Sequence, residues 1–249
     1  MTDQEVSAGA VADSGAALAP EVFVERLRSE GASRYHDRHP FHLAMHDGRL
    51  SQSDLQRWVV NRYYYQTRIP IKDALILAKS EDPAFRRVWI HRLHDHDGLV
   101  DGEGGLAQWV RLGQAVGLAA ADVTSGRLVL PGVRFACDAY VQLVRESSLV
   151  VAVASSLTEF FAPDLMSRRI AAWEQHYPFV EAAGLAYFRG RVTRARNDSQ
   201  EAVAYVMANA TTRSLQEACV AALVRKTEIL WHLLDCVSAA GGPSGRGGA

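Results

Sequence analysis

The stretch SQSDLQRWVVNRYYYQTR, residues 51–68, governs how the fold is read. Ser51 and Ser53 are residue types whose hydroxyls cap the free N–H groups of a first helical turn. Leu55, Trp58 and Val59 then recur at three- and four-residue spacing, the period of one buried helix face. The pattern predicts a helix to about Arg68, interrupted by Pro70, with a short piece over 71–79 beyond it. The same punctuation repeats outward. Pro20 opens a helix that Gly31 closes, and Asp82-Pro83 opens another that Gly98 stops. Helices are expected over 106–116, from Pro131 through Val144, over 149–161, 163–177 and 184–196. Asp198 is read as the cap of a long run to about Ala239, broken near Thr211-Thr212. Only 127–130 resembles an extended piece, and no hairpin turn occurs. The expectation is an all-α bundle.

Composition narrows the class. The chain has 249 residues, with 27 Lys and Arg against 28 Asp and Glu, and 48% of it is hydrophobic. A formal net charge of −1 argues against a nucleic-acid binder, which carries a basic face. The longest uncharged run of the hydrophobic middle, 147–158, falls short of the roughly 20 residues that span a bilayer. Residues 1–18 and 241–249 read as disordered tails around a single domain, 19–240. The first 20 residues contain no Lys or Arg, unlike a secretory or organellar leader, so a cytoplasmic protein is expected. Cys137, Cys219 and Cys236 have no CxxC spacing and lie in apolar helical stretches, so they read as small buried hydrophobes.

The chemistry is carried by polar residues that fall inside apolar stripes. Arg62 continues the row of Leu55, Trp58 and Val59, followed by Tyr65 and Gln66. Lys226 lies within the stripe of Leu223, Leu230 and Leu233. His96 extends the row of Val88, Trp89 and Leu93. Tyr187 and Arg191 are one turn apart, and Glu159 sits in an otherwise apolar helix. Singly, each reads as a side chain reaching past the stripe to water, or as a satisfied core histidine. Together they are costly to bury without partners, and one polar cavity suited to a carboxylated small molecule accounts for them all.

Metal chemistry is the alternative. His91, His94, Asp95 and His96 form a dense run, with His91/His94 and His91/Asp95 at helical ligand spacing, and Glu159 and Glu174 lie elsewhere. The ExxH pairs of a di-metal carboxylate bundle do not occur. Phosphate-binding glycine loops and the GxSxG elbow are also missing.

The blocks HPFHLAMHDG (39–48), WVVNRYYYQTRIPIKDA (58–74), HDHDG (94–98), LPGVRFACDAY (130–140), SSLTEFFAP (155–163) and YFRGR (187–191) resemble the pyrroloquinoline-quinone synthase family, PqqC. The resemblance runs in one register from about Val22 to Ala239. It implies a haem-oxygenase-like bundle of seven helices, a homodimer without haem, and closure and oxidation of the precursor AHQQ to PQQ. It implies that O2 is consumed and H2O2 released with no metal or organic cofactor. Carried over residue by residue, it makes His96 the base that moves carbon-bound protons. Tyr187 and Arg191 would flank the oxygen site, while Lys226 and Glu159 would meet the substrate's quinone and amine groups. Arg62, Lys72, Arg191 and Lys226 would neutralise carboxylates and quinone oxygens, and Tyr35, His36, Tyr65, Gln66, Tyr140 and Arg169 would orient the rings. One position departs: Met166 stands where the family has a histidine one turn before Arg169. A thioether cannot relay a proton, so oxygen or peroxide handling is where activity should differ. A non-catalytic AHQQ or PQQ carrier, or a metal-dependent oxidase on the same bundle, are the competing readings.

Overall fold

The computed structural model describes residues 15–241. The outer parts of the expected tails, 1–14 and 242–249, lie outside the described residues. Twelve α-helices and three short 3-10 segments make up the described fold, without a strand. They are α1 (Pro20–Arg34), α2 (Pro40–His46), α3 (Gln52–Ala78), α4 (Pro83–Trp89), α5 (His91–Asp97) and α6 (Gly104–Ala115). α7 (Ala120–Thr124), α8 (Pro131–Glu146), α9 (Leu149–Ala154), α10 (Ala162–His176), α11 (Ala186–Asn209) and α12 (Arg213–Ala239) follow. The all-α class is as expected. The number of segments exceeds seven because short connectors such as α7 count separately, and because 3-10 turns divide longer runs.

The start of α3 is set by the serine read from sequence. The Ser51 hydroxyl accepts from the Asp54 N–H while the Asp54 carboxylate accepts from the Ser51 N–H, a reciprocal capping box. Its end is not where Pro70 suggested. α3 runs unbroken through Pro70, which is buried along with Ile69 and Ile76. Packing against α8 and α6 holds the helix where the isolated proline would cost about 3 kcal/mol. Continuity matters here, because it keeps Arg62, Tyr65, Gln66 and Lys72 on one rigid rod.

Two further boundaries move. Asp198 is not a cap but an interior residue of α11, and Thr212 caps α12 by accepting from the Leu215 N–H at 3.2 Å. The run over 149–161 is α-helical only to Ala154 and then tightens into a 3-10 segment, Ser155–Phe161. That segment delivers Glu159 to the interior. The stretch 127–130 is a turn leading into α8 rather than a strand.

The bundle packs α10 on α11, α3 on α8, and α12 on α8 and α1. Its floor is aromatic: Trp58 lies 5.4 Å from Trp109 and 6.0 Å from Trp173 between ring centroids, and Trp173 lies 5.6 Å from Phe188. The segment Leu149–His176 holds a window of mean hydropathy 1.4, apolar enough to cross a bilayer, but 61% of it is buried inside the bundle. Its apolar character is that of a core element. Cys137 and Cys219 are buried as expected, whereas Cys236 is partly exposed, with Sγ 3.5 Å from His232 Nε2.

Candidate active site

A cavity of about 70 Å³ lies between α3, α5, α11 and the 3-10 segment Ser155–Phe161. Ten residues singled out in the sequence line it: Tyr35, His36, Arg62, Tyr65, Gln66, His96, Glu159, Met166, Tyr187 and Arg191. Lys72, Tyr140, Arg169 and Lys226 stand one layer behind its wall. Helical periodicity explains part of the convergence: α3 turns Arg62, Tyr65 and Gln66 inward, α11 does the same for Tyr187 and Arg191, and α5, α10 and the 3-10 segments supply the rest.

His96 enters as a base. Its Nδ1 donates to the Arg92 carbonyl at 3.1 Å, which leaves Nε2 as the bare nitrogen of the neutral ring. Burial first, and the neighbouring Arg191 second, push its pKa down to about 3. The Tyr187 hydroxyl donates to Gln66 Oε1 at 2.9 Å, and burial raises its pKa above the ordinary phenol value.

One part of the site is electrically balanced. Arg92 donates to Glu159 Oε2 at 2.8 Å, and Arg191 donates to Asp198 Oδ2 at 3.0 Å and lies 3.6 Å from Glu159 Oε1. Burial alone would raise Glu159, but Arg92, Arg191 and Lys72 outweigh it and hold the carboxyl at about 2. Lys72 is likewise matched, 2.6 Å from Asp73 Oδ1 and donating to Ser156 Oγ at 2.9 Å. Its charge is already compensated within the protein.

The other part is not balanced. Among the described residues, Arg62, Arg169 and Lys226 have no carboxylate within salt-bridge distance. Arg62 lies over the Tyr65 ring at 4.0 Å. Arg169 is buried against Trp58 and Phe188, at 4.9 and 5.3 Å, with Nε unpartnered. Lys226 is 1% exposed; its Nζ has no hydrogen-bond partner and faces the rings of Tyr140 at 3.2 Å and Tyr65 at 4.2 Å. Burial, then Arg62, push its pKa well below the usual lysine value.

Sequence reasoning missed Arg92, Asp73 and Asp198. Arg92 was within reach, because it lies one turn before His96 on the same face. Asp198 was hidden by its resemblance to a cap. The alternative metal pairs around His91 are not the group the fold brings together: His91 lies with Asp198 and Glu201. Asp95 turns to Arg194 at 3.4 Å, and Glu174 pairs with Arg189 at 2.6 Å on the surface. His91 instead meets Asp198 and Glu201, both at 3.5 Å, and the Arg92 guanidinium lies 3.8 Å from each carboxylate. A cationic side chain already occupies the vicinity of that acidic pair.

The TENA/THI-4/PQQC family model matches residues 24–236. The chain belongs to this family. Within it, the chain is 50% identical over 220 residues to the pyrroloquinoline-quinone synthase of Rhizobium meliloti (strain 1021), covering 88% of this chain and 86% of that one. It is 48% identical over 223 residues to the pyrroloquinoline-quinone synthase of Pseudomonas putida (strain W619), covering 90% and 88%. Among solved structures, a domain of unknown function with a heme oxygenase-like fold from Shewanella denitrificans matches with TM-score 0.73 at 14% identity, over 93% of this chain and 97% of that one. A TenA homolog from Pseudomonas syringae matches with TM-score 0.69 at 14% identity, over 91% and 98%. At such identity these structures bear on fold alone, and the TENA/THI-4/PQQC chain has the haem-oxygenase-like bundle.

Proposed function

We propose that the protein is an oxidoreductase catalysing the last step of PQQ biosynthesis, the ring closure and oxidation of AHQQ to PQQ, with O2 consumed and H2O2 released. The observation that carries this reading is the unbalanced half of the cavity. Three buried or half-buried basic groups without acidic partners among the described residues, beside a neutral histidine base, fit a polycarboxylated substrate whose carboxylates would supply the missing counter-charge. The named relatives support the same reaction.

His96 Nε2 removes carbon-bound protons once the amine has closed the ring. Each deprotonation leaves an electron-rich anion that passes electrons to O2, and Tyr187 and Arg191 flank the oxygen. Arg62, Arg169 and Lys226 hold the substrate's carboxylates and quinone oxygens, stabilising both its anion and the reduced oxygen. Tyr35, His36, Tyr65, Gln66, Tyr140 and Lys72 form or back the walls against which the rings are oriented. No metal or organic cofactor enters the reading, because the substrate supplies the electrons. A cavity of about 70 Å³ holds only a few waters, each needing roughly 10–15 Å³ by the same measure. Binding a three-ring product therefore needs the side chains or helices around the cavity to make room. Met166 beside Arg169 alters the oxygen-handling end of the site. A homodimer in the cytoplasm completes the reading, and light scattering tests its assembly.

The experiment adds metal-analysed protein to AHQQ without oxygen, records the absorption spectrum, and then admits oxygen. A spectral change before oxygen, followed by PQQ and peroxide without stoichiometric metal, is the expected result. A bound spectrum that never proceeds to PQQ would mark a carrier, and chelator-sensitive turnover with bound iron would mark a metal-dependent oxidase.

A further inference from the structure

We propose that His42 is a positioning residue that aims Arg169 at the cavity wall, a role that rests on reading the cavity as a synthase site. His42 lies in α2 and is 1% exposed. Its Nδ1 hydrogen-bonds to the His36 carbonyl at 3.0 Å, and its Nε2 lies 3.2 Å from Arg169 Nη2. A carbonyl only accepts and a guanidinium only donates, so both bonds are made by a single form of the ring: neutral, with its proton on Nδ1. One side chain thus ties the turn that carries His36 to the helix that carries Arg169.

The tie matters because Arg169 has so little else. Among the described residues its other side-chain hydrogen-bond contact is Met166 Sδ, 3.8 Å from Nη1, and Met166 lines the cavity. A thioether is a weak acceptor. With Nη2 held by His42, the other end of the guanidinium is presented beside Met166, where an anionic ligand can reach it when the cavity opens. Burial first and the neighbouring Arg169 second keep His42 well below its ordinary pKa, in agreement with a neutral ring. The occupant that gains from this arrangement is a carboxylate or other anionic oxygen of the substrate.

Two substitutions separate positioning from packing. In His42→Asn the amide nitrogen can replace Nδ1 toward His36 but cannot reach Arg169. In His42→Gln the amide oxygen can replace Nε2 toward Arg169. The affinity for PQQ without oxygen, KM and kcat for AHQQ, and Tm are measured for both. His42→Asn should weaken PQQ binding and raise KM on the order of tenfold, the worth of a hydrogen bond to a charged group, with a smaller effect on kcat. His42→Gln should stay near wild type in binding, although both variants lose a similar amount of Tm. Equal binding defects in the two, or none in His42→Asn, would overturn the proposal. Nitrogen NMR of wild-type histidines, without ligand, supplies a second test that survives misfolded variants. A neutral His42 ring protonated on Nδ1 is expected, and a charged ring or an Nε2–H form overturns it. If the wild type makes no PQQ, the synthase reading fails, whereas the NMR result still judges the His42–Arg169 tie by itself.

Discussion

Replacing Lys226 with Met should make the ligand-free protein more stable while weakening its hold on an anionic ligand. Two effects compete at the native lysine. The faces of Tyr140 and Tyr65 favour an ammonium by about 2 kcal/mol when desolvated. Burying an ion without a counter-charge costs several kcal/mol, and Arg62 adds repulsion. The cost is larger, so burial disfavours the ammonium in the folded empty site, and the nitrogen is also unsatisfied. An unsatisfied buried polar group by itself costs about 1–3 kcal/mol, and each kcal/mol moves Tm by about 2–4 °C in a chain of this size.

The pH dependence carries the sign. The unfolded lysine titrates near 10.5 and the folded one well below it, so between those values the unfolded chain holds the extra proton. Wild-type stability therefore rises with pH across that window, by up to about 1.4 kcal/mol per unit. The methionine variant lacks this gain. Its advantage should be largest near neutrality and shrink as pH approaches 10.5. Scanning calorimetry of both proteins, ligand-free, from pH 7 to 10 reads the difference directly. A variant less stable at every pH, or an advantage independent of pH, would show that Lys226 is charged and compensated in the fold, and the reasoning would be wrong.

Other outcomes follow from the same geometry. His96→Asn keeps a donor toward the Arg92 carbonyl but removes the base nitrogen, so proton removal from bound AHQQ should slow by roughly 10²–10⁴-fold with affinity retained; stopped-flow spectra without oxygen measure it. Because the folded His96 stays neutral down to about pH 3, kcat/KM should show no acid limb near 6.5 that this substitution abolishes. Arg92→Met leaves Glu159 and Asp198 with Arg191 as their one remaining guanidinium among the described residues, which should cost about 3–5 kcal/mol and lower Tm by at least about 6 °C. A loss below about 2 °C would mean that the network contributes little. Met166→His should change the rate of oxygen uptake or peroxide release and leave the anaerobic spectral change intact; unchanged oxidation rates would remove Met166 from the oxygen-handling account.

Much of this site was legible because burial and polarity conflict visibly along a helix. Arg62, His96 and Lys226 stand out in their stripes, and the cavity brings Arg62 and His96 together with Lys226 just behind. What periodicity could not separate was which cations are spent on internal acids. Arg191 and Lys72 look like Arg62 and Lys226 in the chain, yet Asp198 and Asp73 neutralise the first pair, and among the described residues no carboxylate neutralises the second. Pro70 and Asp198 misled for one reason. Each carries a strong local signal, for a break and for a cap, and long-range packing overrode it.

The sequence by itself determined the all-α class, the capped start of α3, the burial of two cysteines and the inward placement of most site residues, because these depend on spacing along one helix. Only the tertiary structure decided that α3 runs through its proline, that Arg92 and Arg191 share Glu159 and Asp198, and that His42 reaches Arg169. These depend on groups distant in sequence meeting in a desolvated interior, where charge pairing and hydrogen-bond direction, rather than periodicity, set the outcome.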